Sequence, residues 1–154
     1  MILKNITIIC GGQSGVDRAA LDFAIKNGIP CRGWCPLGRL AEDGLIPNIY
    51  PLKETTTTEY KERTRLNVRD SDGTLILYKN KMDEGTMLTH KLALEMEKSA
   101  LAIKLSTDQA FNKEQLSKWI TNNNISVLNI SGLRESSSPG IYKLAYNFLL
   151  KLLD

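Results

Sequence analysis

A chain of 154 residues with a net charge of +3 has the length of one domain, enough to bury about two-thirds of its unfolded surface. Hydrophobic residues at 42% and charged residues at 24% exclude a disordered or fibrous class. The charge is too mild and too evenly spread for a nucleic-acid-binding surface, and no apolar run approaches the roughly 20 residues of a membrane span. The N-terminus lacks the basic start and apolar centre of a signal peptide, so a cytoplasmic protein with no membrane partner is expected. No linker, repeat or low-complexity segment divides the chain, and residues 1–154 are expected to form a single domain.

Ile6, Ile8 and Ile9 predict a buried strand over 4–10. The stretch Cys10-Gly11-Gly12-Gln13-Ser14-Gly15-Val16-Asp17-Arg18 follows, and Val16, Ala19, Ala20, Phe23 and Ala24 then recur on one face of a helix over 16–26. Glycines permit the positive φ angles and close backbone approach of such a turn. The free N–H groups of the helix start point out of it with the positive end of the dipole, where a phosphate is the usual guest. Gly11, Gly12 and Gly15 spell neither the dinucleotide fingerprint nor a Walker loop. Cys31, Arg32 and Gly33 stand where an acid would hold the ribose of NAD, which sets that cofactor aside. The three cysteines are expected to be reduced, and no second Cys or His pair completes a zinc site. His90 has no obvious triad partner.

Further along, a strand is predicted at 30–33, a long connection at 34–56, a helix at 58–70 and a strand at 73–78. Next come a helix at 86–98, a strand at 100–105, a helix at 113–122, a strand at 126–130 and a last helix over 139–153. This alternation predicts an α/β doubly wound domain with a mostly parallel sheet of five or more strands and helices on both faces. Ligands of such sheets sit beyond the carboxyl ends of the strands. The loops placed there are the glycine turn and the blocks 34–44, 83–86 and 131–137. Connections as long as 34–56 are often functional. In it Trp34 offers a flat apolar face and Arg39 a forked cation, whereas Glu42 and Asp43 read better as turn formers than as an acid–base pair. Tyr60, Arg63, Thr64 and Asn67 share one face of the second predicted helix, which is either a solvated face or a polar pocket wall. Ser71 could extend that wall, or, like Thr86, serve as a cap.

Gly11-Gly12-Gln13-Ser14-Gly15-Val16-Asp17-Arg18-Ala19-Ala20-Leu21-Asp22 resembles the opening motif of the molybdenum carrier protein family. Gly33-Trp34-Cys35-Pro36, Gly38-Arg39, Ala41-Glu42-Asp43-Gly44, Arg63-Thr64, Asn67-Val68, Ser71 through Ile76, Arg134-Glu135-Ser136 and Pro139-Gly140-Ile141 extend the resemblance over nearly the whole chain. It implies a Rossmann-like fold, a homo-oligomer (dimer or tetramer) and binding of molybdenum cofactor, a pyranopterin phosphate whose dithiolene holds the metal. A more distant similarity is to lysine-decarboxylase-like phosphoribohydrolases. Two positions depart from the family pattern: Glu84 replaces a glycine and Leu133 a proline. A carboxylate about 4 Å from a ligand anion would repel it by about 4 kcal/mol at an intermediate dielectric.

The expected site therefore places the phosphate on Gly12, Ser14, Gly15 and Thr86, neutralised by Arg18, Arg39 or Arg134. Trp34 and the polar helix face with Arg63 and Asn67 would take the ring system. Gly11, Gln13, Ser71, Gly85, Gly132 and Ser136 complete it. No residue is assigned to catalysis or to a metal, so a small-anion carrier is expected. The alternatives using the same phosphate site are a nucleotide-derivative sensor and a phosphoribohydrolase-like enzyme. The enzyme would need a carboxylate where Thr89 stands. Gly15→Asp is expected to abolish binding without disturbing the fold.

Overall fold

The apolar runs become the strands of one six-stranded sheet, in a computed structural model that describes residues Met1 to Asp154. In chain order the elements are β1 (Thr7–Ile9), α1 (Val16–Lys26), β2 (Cys31–Cys35), β3 (Leu40–Ala41), β4 (Gly44–Leu45), β5 (Leu52–Glu54) and α2 (Tyr60–Arg69). There follow β6 (Gly73–Tyr78), α3 (Glu84–Glu95), β7 (Ser99–Lys104), α4 (Gln109–Asn122), β8 (Val127–Gly132) and α5 (Ile141–Leu150), with a final 3-10 turn at Lys151–Leu153. The sheet order is β5-β2-β1-β8-β6-β7, and every neighbouring pair is parallel. β3 and β4 pair apart from it as an antiparallel hairpin.

Strands covered on both faces read as continuous apolar runs, and Leu75, Ile76 and Leu77 of β6 are all fully buried. Right-handed crossovers decide which face each helix covers. The chain moves one way from β1 to β2 through α1 and the other way from β6 to β7 through α3, so those helices lie on opposite faces. α1 packs on α5, and α2 on α3. Ala19, Ala20 and Ala24 on α1 and Ala145 on α5 are fully buried, small enough for those helices to approach closely around Phe23 and Phe148.

The doubly wound α/β domain expected from the sequence is thus present, with helix ends set by residues the apolar pattern does not contain. α3 begins at Glu84, ahead of the predicted start, because Asp83 and not Thr86 is its cap: the Asp83 carboxylate accepts the Thr86 N–H at 2.9 Å. α4 begins at Gln109 because Asp108 accepts from the N–H groups of Ala110 and Phe111. The 34–56 connection holds the end of β2, the β3–β4 hairpin and β5. No helix is long and apolar enough to cross a membrane.

Asp72 fastens the starts of β6 and β8. Its carboxylate accepts from Ser126 N–H and hydroxyl at 3.0 Å each and from Val127 N–H at 2.8 Å. Partial burial pushes this carboxyl up, but those bonds outweigh it and hold the group below the usual range. Its contribution is therefore present above the ordinary Asp value of about 4 and lost as pH falls through the lowered one. Because the group is solvent-exposed, Asp72→Asn is expected to cost only about 1 kcal/mol in neutral urea unfolding. The gap between the variant and the wild type should narrow as pH falls below the ordinary Asp range and the carboxyl is protonated.

Candidate functional site

A cleft of about 110 Å³ opens at the carboxyl ends of β1 and β8, beneath α2 and α3. Loops leaving β1 and β8 run to the α1–α5 face and the loop leaving β6 runs to α3, so the cleft sits where the connections part. Tyr60, Arg63, Thr64 and Asn67 all line it, so the polar side of α2 is a pocket wall. Asp83, Gly85, Leu88 and Thr89 form the α3 wall, and Gly11, Asn129, Ser131 and Gly132 form the strand ends. Gln13, Asp17 and Arg134 also line the cleft.

Arg63 is its centre. A Cβ on Gly11 would collide with the Arg63 side chain, so the bare glycine lets the guanidinium cross the end of β1. There Nη1 donates to the Gly11 carbonyl at 3.1 Å and lies 3.9 Å from the Asp17 carboxylate, with the guanidinium carbon 5.1 Å from the Tyr60 ring centroid. Arg63 is 8% exposed and Asp17 7%, a buried pair. Burial pushes the Asp17 carboxyl up, opposed by Arg63 and by the N–H groups of Gln13 and Gly11. Thr89 and Ser131 hydroxyls meet at 3.5 Å, and the buried Asn129 amide donates to Thr74 Oγ1. The N–H groups of Glu84 and Gly85 have no partner within α3. The Glu84 side chain is solvent-exposed and outside the cleft lining, so the carboxylate that departs from the family pattern does not face the cleft.

The tip of α1 is arranged differently from expectation: the protein supplies its own anion there. Glu42, at the turn of the β3–β4 hairpin, accepts from the Ser14 hydroxyl, the Ser136 hydroxyl and the Ser136 N–H, with Arg134 at 3.9 Å. Partial burial pushes its carboxyl up, but these donors prevail and hold it below the usual range. Val16 N–H donates to the Leu133 carbonyl at 3.1 Å. Gly15 has φ +80°, and a Cβ there would overlap the Leu133 carbonyl oxygen. Glu42 and the 133–136 loop thus take up the Ser14 hydroxyl and the Val16 N–H at the tip where the sequence suggested a phosphate. Ser14, Gly15, Arg18 and Ser136 border a separate, shallower depression. Arg18 donates to both Asp43 carboxylate oxygens and to the Gly12 carbonyl. Glu42 and Asp43 are structural ties, and Gly12 packs against Leu52 and Ile46.

Four further expected residues serve the framework. Trp34 donates its indole N–H to Asp70, while its backbone exchanges hydrogen bonds with the Asn67 amide, pinning β2 to α2. Arg39 donates to the carbonyls of Ile46, Pro47, Tyr50 and Leu52 and so holds the 34–56 connection in shape. Ser71 donates to the Val68 carbonyl, and the Thr86 hydroxyl to Asp83. Of the expected residues the cleft brings together Gly11, Gln13, Arg63, Asn67, Gly85, Gly132 and Arg134. Asp17 and Asn129 were not foreseen, although each is a polar residue inside an apolar run, Asp17 beside Val16 and Asn129 between Leu128 and Ile130.

The overlap at Gly15 changes the expected behaviour of its variants. Gly15→Ala forces a side chain into a conformation reserved for glycine and into the Leu133 carbonyl, and is expected to cost about 3 kcal/mol or more. Gly15→Asp should be unfolded or nearly so, not a folded protein that has lost its ligand. The midpoint of urea unfolding followed by circular dichroism measures both.

Residues 8–153 match the model of the circularly permutated YpsA SLOG family. A crystal structure described as a putative molybdenum carrier protein from Syntrophus aciditrophicus SB superposes with a TM-score of 0.93 at 44% identity, covering 96% of this chain and 94% of that one. No protein of curated function is significantly similar. The resemblance carried by the glycine motif and its companion blocks therefore holds over the whole fold. The chain is a homologue of that Syntrophus protein and belongs to the circularly permutated YpsA SLOG family.

Proposed function

We propose that the chain is a non-catalytic carrier for a phosphorylated ring compound, molybdenum cofactor above all, held in the cleft between α2 and α3. The observation that carries this reading is the convergence of Arg63, Arg134 and the start of α3 on one small cleft. Two guanidinium groups and unpartnered N–H groups are the donors a phosphate needs. At about 110 Å³ the cleft is smaller than the roughly 300 Å³ of a pocket that encloses a whole ligand of this kind. One end enters it, and the phosphate is the end whose charge the cleft matches. The ring system then lies across the mouth, against the half-exposed Tyr60 ring. The name given to the Syntrophus homologue supports the choice of cargo. Asp17 and Asp83 are the anions nearby, the first compensated by Arg63 and the second engaged in capping α3.

The test is acid–iodine oxidation of freshly purified protein, read by pterin fluorescence, followed by anaerobic equilibrium dialysis of isolated molybdenum cofactor against the chain. Arg134→Met removes a cation at the cleft mouth and is expected to weaken binding about tenfold, the lower end for a charge-assisted hydrogen bond. Arg18→Met lies outside the cleft and should leave affinity unchanged. The opposite pattern would return the ligand to the tip of α1, and no binding at all would end the carrier reading.

One observation favours a second reading, a phosphoribohydrolase-like enzyme. Asp17 is a cleft carboxylate whose burial raises its affinity for a proton, as a general acid requires. Incubation with adenosine monophosphate separates the two. The carrier releases no adenine, whereas release that is lost in Asp17→Asn would make the protein an enzyme.

A further inference from the structure

The ionised side chains that line the cleft balance one another. Arg63 and Arg134 are its cations, and Asp17 and Asp83 its anions. Asp83 is turned to the first turn of α3, where it accepts the Thr86 N–H and hydroxyl. Asp17 is not consumed in this way. Its Oδ2 accepts the Gln13 N–H at a long 3.3 Å, and Arg63 Nη1 stands at 3.9 Å, beyond hydrogen-bond length. An ionised carboxylate offers about four lone-pair sites. With the Gly11 N–H counted beside Gln13, Asp17 still keeps acceptor capacity toward the cleft it lines.

The groups around it are donors. Of the N–H groups of the Arg63 guanidinium, one is spent on the Gly11 carbonyl. The Gln13 amide oxygen accepts from Ser14 N–H at 3.0 Å and from Glu42 N–H at 2.8 Å. That fixes the amide and leaves its NH2 group to the cleft. A phosphate drawn in by these donors therefore meets one buried carboxylate among them.

We infer, resting on the proposed placement of the phosphate in the cleft, that Asp17 selects a phosphomonoester in its singly protonated form. The phosphate donates its O–H to the Asp17 carboxylate, while Arg63, Arg134 and Gln13 hold its other oxygens. The second pKa of such a phosphate is about 6, so at pH 8 the free ester is almost wholly a dianion. The proton then comes from solvent and ends in an O–H···O bond between ligand and carboxylate. Without it, two anions would compete for one guanidinium, and the whole charge of the dianion would stand uncompensated in a balanced cleft. With it, half of that excess is removed.

No other group near Asp17 competes for the role. Arg18, the next residue on α1, is paired with Asp43. The Cys10 thiol of β1 donates to the Asp17 backbone carbonyl, and its own burial pushes it up, so it stays a thiol. Arg63 and Arg134 do not give up a proton. Glu42, on the far side of Gln13, is held below the usual range by its serine donors. Burial pushes the Asp17 carboxyl in the opposite direction, toward a shared proton.

Calorimetric titration of the full chain with 6-hydroxymethylpterin monophosphate, in two buffers of different ionisation enthalpy, counts the protons directly. At pH 8 about one proton is expected to be taken up per ligand bound, and the dissociation constant should rise about tenfold from pH 7 to pH 8. Asp17→Asn keeps an oxygen for the Gln13 N–H and turns an acceptor into a donor. It should bind the dianion with no proton uptake and lose the pH slope. If circular dichroism shows that this variant does not fold, the wild-type proton count decides alone. Wild-type binding without uptake, or unchanged uptake in a folded Asp17→Asn chain, would overturn the inference while leaving the phosphate in the cleft. No binding of the ester at either pH 6 or pH 8 would remove the proposed function itself, and the inference with it.

Discussion

The cleft is organised around one buried guanidinium. Arg63 leaves α2, crosses the end of β1 above Gly11 and reaches the Asp17 carboxylate at the start of α1. A charge at this depth is tolerated only when paired and hydrogen-bonded, and removing one partner of such a pair typically costs about 3–5 kcal/mol. Every neighbour follows from that constraint. Gly11 cannot carry a side chain because the guanidinium occupies the space. Asp17 keeps its place because Gln13 N–H and Arg63 compensate it. Tyr60 lies beneath the same cation, one turn earlier on α2. The cation that fixes the geometry of α1, β1 and α2 is also the cation that faces the cleft.

A second device works in the opposite sense. An unfilled helix tip with serine and backbone donors around it attracts anions, and here an internal carboxylate answers that attraction. Glu42 ties the β3–β4 hairpin to Ser14 and Ser136, and thereby ties the long connection after β2 to the loop after β8. Asp43 does the same for Arg18. At the α1 tip the Ser14 hydroxyl and the Val16 N–H are engaged, whereas the Glu84 and Gly85 N–H groups at the start of α3 have no partner within that helix.

The two flanks of α3 face different surroundings. One side of the helix, with Gly85, Leu88 and Thr89, borders the cleft, and the other, with Met87 and Leu94, is exposed beside the β7 edge.

The sequence by itself determined the α/β class, the helix of α1 from first to last residue, the strand β6 and the shared polar face of α2, since each depends on a local period of apolar or polar residues. It also showed glycines and polar residues gathering in the loops beyond the strand ends. Only the tertiary structure decided which of those loops meet. Trp34, Arg39, Ser14 and Ser136 have the chemistry of ligand contacts, yet their hydrogen bonds run to Asp70, to the carbonyls of the 46–52 segment and to Glu42. A donor's partner is fixed by long-range packing, and Ser136 and Glu42 are 94 residues apart. The physical reason is that residue type and spacing specify what a side chain can bind, whereas the fold specifies what reaches it first.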